Sequence, residues 1–192
     1  MGWTSYNAEF YKNGKVDRKA EMDNRWTQEE SEKYPKLRVL KSSMVGNIYY
    51  AAIEISRGGK VEQVFATTAI TSTNMKDYYN FSYKDLDETM GGCNYDCPVG
   101  ILNLLTPTDN EYALQWRTEC LKQQKKKKEK ENLRKSLIQG KKYLIKLWNG
   151  KTFEAEWSTY MNRKRFVNYN ERRYCDFKYV EDIKELEEQQ AN

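Results

Sequence analysis

The chain has 192 residues, with 33 Lys and Arg against 28 Asp and Glu, and no histidine. That composition excludes an imidazole general base, a His-activated serine or cysteine nucleophile, and every His-containing zinc site. A mean hydropathy of -0.98 and no apolar run near the roughly 20 residues of a membrane helix exclude a helical membrane protein, whereas 14% aromatic residues argue for a folded chain.

Met1-Gly2-Trp3-Thr4 lacks the basic-then-apolar order of a signal peptide, and Tyr6 stands where a myristoylation site needs Ser or Thr. The expected location is the cytoplasm. Asn13-Gly14 favours a tight turn and predicts a hairpin over 6–19. Residues 20–36 are polar, irregular or helical. Three segments rich in β-branched and aromatic residues follow, at 37–45, 48–56 and 61–72, with Arg57-Gly58-Gly59-Lys60 as a turn between the last two. Met44, Ala51, Ile53 and Ile55 fit a buried face, as do Val64, Ala66, Ala69 and Ile70. An antiparallel sheet is expected there.

After Asn80 the pattern reads as helical. Thr106-Pro107-Thr108-Asp109 offers Thr or Asp as an N-cap, and Tyr112, Ala113, Trp116, Cys120 and Leu121 follow helical spacing. Residues 122–130 contain no apolar side chain, which predicts a solvated helix or a linker. Beyond it, 142–148 and 151–157 flank Asn149-Gly150 as a hairpin, with further strands at 165–169 and 173–179. An acidic helix is expected over 180–188, docked through Ile183 and Leu186. Four short strands in so few residues suggest an SH3-like or Tudor-like barrel. The predicted fold is thus α+β: an N-terminal antiparallel sheet with flanking helices (1–121), a basic helical connector (122–136), and a small basic β-barrel domain with an acidic C-terminal helix (137–192).

Charge is segregated along this order. Residues 1–121 carry 14 basic and 17 acidic groups, whereas 122–135 carry 8 and 2, and 136–179 carry 10 and 4. The tail 180–192 returns to 1 and 5. A basic stretch of this size points to a polyanionic partner.

Five groups of residues could carry chemistry. Cys93 and Cys97, in a glycine- and proline-marked loop, have a spacing at which two thiolates can converge on zinc. The second close pair of a four-cysteine site is missing, so reduced thiols are the simpler reading. Asp77, Asp85, Asp87 and Glu88 could recruit Mg²⁺ for a metal-dependent nuclease, although carboxylates near a helix start are more often caps or solvated groups. Lys122, Lys125, Lys126, Lys127, Lys128, Lys130, Arg134 and Lys135 form a positive strip suited to phosphate backbones. Arg163, Lys164, Arg165, Arg172 and Arg173 interleave with Tyr160, Phe166, Tyr169 and Tyr174, adding flat faces for stacking on bases or docking on protein. Without those aromatics, a solubilising surface would explain the charges. Tyr78, Tyr79, Phe81 and Tyr83 crowd one segment and offer a protein-docking surface or core packing.

The first 120 or so residues also resemble a known family. The carrying motifs are Met1-Gly2-Trp3-Thr4-Ser5-Tyr6, Tyr11–Glu21 (YKNGKVDRKAE), Lys41–Gly46 (KSSMVG), Lys76–Asp85 (KDYYNFSYKD), Asp87–Gly91 (DETMG), Cys97-Pro98, Ile101-Leu102 and Leu104–Arg117 (LLTPTDNEYALQWR). They are similar to a small family carried on phages, plasmids and conjugative elements; the C-terminal third matches it only loosely. The resemblance implies a counter-defence protein of a mobile element, acting in the bacterial host cell as a type II anti-CRISPR inhibitor of the RNA-guided nuclease Cas9. No catalytic residue carries over. Such an inhibitor needs no active site, no cofactor and no turnover, and its basic region would contact guide RNA, DNA or the nuclease. A nucleic-acid-binding accessory protein of a mobile element is the alternative expectation.

Overall fold

The structure is a computed structural model that describes residues 4–6, 10–12, 15–30, 33–34, 36–72, 78–86 and 95–186. It divides into two compact units, Met1–Lys126 and Lys127–Asn192.

In the first unit, β1 (Thr4–Tyr6) precedes a minimal hairpin of β2 (Tyr11–Lys12) and β3 (Lys15–Val16). The ladder is shorter than the hairpin expected over 6–19, because Asp17 starts a helix instead. Its Oδ1 accepts from Ala20 N at 3.1 Å, which caps α1 (Arg18–Glu29). The polar stretch at 20–36 is therefore helical through Glu29. β4 (Arg38–Val45), β5 (Ile48–Arg57), β6 (Lys60–Ser72) and β7 (Tyr78–Leu86) follow, and the antiparallel sheet runs in the order β1-β7-β6-β5-β4.

Strand alternation sends the apolar residues of β5 to both faces. Tyr49, Ala51, Ile53 and Ile55 pack with Met22 and Trp26 of α1. Tyr50 and Ala52, with Phe65 of β6, pack on the opposite face against Cys97, Ile101, Leu102, Leu105, Trp116 and Cys120. A strand covered on both sides has no polar face, which is why this segment reads as a continuous apolar run. The second face is supplied by α2 (Val99–Leu102) and by α3 (Glu111–Ser136).

Three expectations for this unit are corrected. The segment after Asn80 is not helical: β7 continues to Leu86, pairing Tyr83 with Ala69 and Phe81 with Ile70. The open edge of β6 recruits a segment dense in Tyr and Phe, both good strand formers. The α3 cap is neither Thr nor Asp109 but Asn110, whose Oδ1 accepts from Ala113 N at 3.1 Å. Thr106 serves the sheet instead, exchanging a 2.8 Å bond from Gln63 N and a 2.9 Å bond to Gln63 O. Finally, only Ala113, Trp116 and Cys120 of the helical stripe are buried, while Tyr112 and Leu121 point outward at its margins. The lysine run that follows is helical throughout, to Ser136.

The second unit is built on β8 (Lys142–Leu147), β9 (Thr152–Tyr160), β10 (Arg163–Asn168) and β11 (Arg173–Cys175). A single 3-10 turn at Phe177–Tyr179 leads into β12 (Val180–Glu185). The sheet order is β11-β10-β9-β8-β12, an open ladder in which the last strand returns beside the first. Tyr143, Ile145, Ala155, Trp157, Phe166, Cys175 and Val180 form its core. Trp157 and Phe166 lie with ring centroids 4.8 Å apart.

The expected acidic helix at 180–188 is a strand as far as Glu185. Ile183 pairs with Ile145 and Glu185 with Tyr143, after an irregularity between Val180 and Asp182. The free edge of β8 decides this, since it supplies both a hydrogen-bond ladder and opposite charges. Lys146 meets Glu181 at 2.8 Å, and Lys141 meets Glu185 at 2.7 Å. Among the described residues, no helix is long and apolar enough to cross a membrane.

Candidate nucleic-acid interface

The second unit carries an aromatic groove that begins at the β8–β9 turn. Gly150 takes a left-handed φ of 79°, and Asn149 Oδ1 accepts from Lys151 N at 3.1 Å, so the Asn-Gly turn is tight. This places Trp148 at the corner, 67% exposed, with its backbone N–H donating to Tyr179 O at 3.3 Å. The Trp148 and Tyr179 rings meet edge-on, 6.4 Å apart at 78°. Lys130 braces them. Its Nζ donates to Val180 O at 3.1 Å and lies 5.4 Å from the Trp148 ring centroid and 5.6 Å from that of Phe177.

The β10–β11 turn forms the other wall. Asn168 Oδ1 accepts from Glu171 N at 2.9 Å, and Arg172 takes a left-handed φ of 53°. Tyr174 follows, with the Arg165 guanidinium 4.7 Å from its ring centroid and Tyr160 5.4 Å away. Between the walls lies a groove of about 980 Å³, lined by Trp148, Lys151, Arg172, Arg173, Tyr174 and Tyr179 among others. Cys175 also lines it. Burial, then the Asp176 charge, pushes its thiol up, so it stays protonated near neutral pH and is a poor nucleophile.

A smaller concavity of about 380 Å³ brings Arg134 and Lys135 of α3 together with Leu137, Trp157 and Lys164 of β10. Glu131 shares this wall and pairs with Lys135 at 2.6 Å, which holds its carboxyl below the usual carboxylate range.

The residues expected to bind a polyanion thus divide by how they are engaged. Lys122 pairs with Glu119 at 3.1 Å, and Arg173 pairs with Glu171 at 3.0 Å. Lys130 is taken up by backbone carbonyls and rings. Arg165 is buried and ion-paired with Asp176 at 2.7 Å. Lys125, Lys126, Lys127 and Lys128 lie on the exposed surface of α3. Arg163 and Lys164 are exposed on β10, Arg172 on the following turn, and Tyr169 donates its hydroxyl hydrogen to Ser158 Oγ at 3.2 Å.

The other expected sites are less fully displayed. Tyr78, Tyr79, Phe81 and Tyr83 are all positions of β7. Cys97 is buried in the core with Ile101, Trp116 and Cys120, while Cys93 lies outside the described residues. Asp85 is half-buried on β7, and Asp77, Asp87 and Glu88 lie outside the described residues. Among the described residues, no group of three or more Cys, Asp or Glu side chains could hold a metal ion.

Sequence reasoning passed over Trp148 and Tyr179. The available signal was an aromatic directly before Asn149-Gly150, since a strand-end residue beside a tight turn projects outward. Comparison with family models, curated proteins and solved structures finds no match.

Proposed function

We propose that this chain is a non-enzymatic nucleic-acid-binding protein whose second unit supplies the contact. The observation that carries this reading is the meeting of Arg134, Lys135 and Lys164, distant in sequence, at one concave surface whose lining holds a single carboxylate, Glu131, paired with Lys135. Cations in excess over the neighbouring carboxylates can neutralise phosphates and release counterions. The sheet order, with a 3-10 turn before a last strand that pairs with the first, supports an SH3-like reading of this unit.

Counter-defence in the cytoplasm of a bacterial host is the biological form that the N-terminal resemblance supports. In that role the chain is an anti-CRISPR inhibitor, and its basic unit engages the Cas9–guide RNA complex or its DNA.

Titration of labelled duplex DNA at about 50 and 200 mM salt tests the binding reading. Affinity should fall steeply with salt, and Arg134→Glu with Lys164→Glu should weaken binding and flatten the slope by about one per lost contact. Equal affinities for wild type and variant, or no salt dependence, overturn it. A Cas9 cleavage assay with pull-down of the guide-loaded nuclease tests the biological form. Retained DNA binding without inhibition or pull-down leaves a mobile-element accessory protein.

A further inference from the structure

We propose that the groove between Trp148 and Tyr174 is a site for unpaired nucleotides, so that the protein binds single strands there rather than duplex alone. The inference rests on the nucleic-acid-binding reading above and adds the ligand's state.

Three observations carry it. The first is exposed π surface. Trp148, Tyr174 and Tyr179 are 67%, 51% and 48% exposed, and all three stand on the walls of one groove of about 980 Å³. Bases stack on such faces only when they are unpaired, because a duplex already uses its base faces internally.

The second is preorganisation. Trp148 is held by its backbone bond to Tyr179, by the edge contact with that ring, and by Lys130. Tyr174 is held by Arg165 and Tyr160. Rings fixed before binding lose little rotamer freedom when a base arrives.

The third is the sign of the rim. Lys151 and Arg172 line the groove beside Arg173, which is paired with Glu171, while the lining acid, Asp176, is neutralised by Arg165. Cations beside stacking platforms are what a strand of alternating bases and phosphates requires. The same rim argues against an aromatic cage for an alkylated lysine or arginine. Such a ligand needs an unopposed negative field, and the cation position near the Trp148 ring is already held by Lys130.

The test uses the full chain with two labelled probes, an oligothymidylate and a hairpin duplex of equal charge. Wild type should prefer the single strand. Trp148→Ala, at an exposed turn position, should weaken oligothymidylate binding at least fivefold while leaving duplex binding and the salt slope in place. Arg172→Glu should weaken single-strand binding and reduce its salt slope by about one. Circular dichroism and melting of Trp148→Ala matching wild type exclude unfolding as the cause; Trp148→Phe, which keeps a stacking face, should recover most of the affinity and serves if Trp148→Ala does not fold. Salt-dependent binding of both probes that ignores Trp148→Ala overturns the groove site but leaves the polyanion reading standing. Binding of neither probe overturns both. A trimethyl-lysine peptide bound in a Trp148-dependent way, with no single-strand preference, makes the groove a cation cage instead.

Discussion

Arg165 on β10 and Asp176, the residue before the 3-10 turn, are joined at 2.7 Å across the second unit, with side chains 11% and 32% exposed. The pair ties a central strand to the segment that redirects the chain into β12. It also removes Arg165 from a basic cluster in which Arg163 and Lys164 remain exposed. Position along β10 makes the distinction, because Arg165, Phe166 and Val167 are its buried residues whereas Arg163 and Lys164 at its start are exposed.

Stability should therefore separate neighbours that look alike in sequence. Arg165→Ala leaves a part-buried carboxylate without its ion partner and removes the cation over Tyr174, and it should cost about 2 kcal/mol. Lys164→Ala should change stability by less than about 0.5 kcal/mol. Urea denaturation of the two variants checks this. Equal costs would mean that the ion pair contributes nothing.

Lys130 should act through structure rather than through phosphate binding. Its Nζ bonds to Val180 O and lies near the Trp148 and Phe177 rings, so Lys130→Ala should lower stability by about 1 kcal/mol and loosen the groove. Lys128→Ala, on the exposed helix surface, should leave the melting temperature unchanged. Thermal melts compare the two, and an equal effect at both positions would place Lys130 among the solvated lysines.

The first unit should weaken in alkali through Tyr49. Burial, then the Asp23 carboxylate, holds its phenol above the ordinary 10.0, and its hydroxyl donates to Asp23 Oδ1 at 2.7 Å. An unfolded chain would release that proton near pH 10 while the folded chain keeps it. The contribution is thus complete below about pH 10 and is lost as pH rises past it, by up to about 1.4 kcal/mol per pH unit. Tyr49→Phe should remove this component of the slope. Denaturation at about pH 8 and about pH 11 reads it directly, and identical slopes for wild type and variant would refute the assignment.

Incubation with plasmid DNA and Mg²⁺ or Mn²⁺ should leave the DNA intact. Cleavage that disappears in Asp87→Asn would replace the proposed binding role with that of a metal-dependent nuclease.

Local sequence determined much of this protein. Density in β-branched and aromatic residues and the glycine turn at 58–59 specified β5 and β6, and Asn149-Gly150 specified the β8–β9 hairpin. Those features depend on turn chemistry and strand propensity, which neighbouring residues set among themselves. The charge asymmetry was equally legible, because net charge needs no fold. Tertiary structure alone decided the rest. Residues 180–185 form a strand because β8 offers a free edge, although their acidic composition reads as helix. Tyr78–Leu86 is a strand for the same reason at β6. Arg163 and Arg165 share one face of β10, yet only Arg165 is buried, beside Asp176 and the Tyr174 ring, while Arg163 stays a surface charge. Trp148 and Tyr174 become walls of one groove only when two turns meet in space, and no local pattern encodes that meeting.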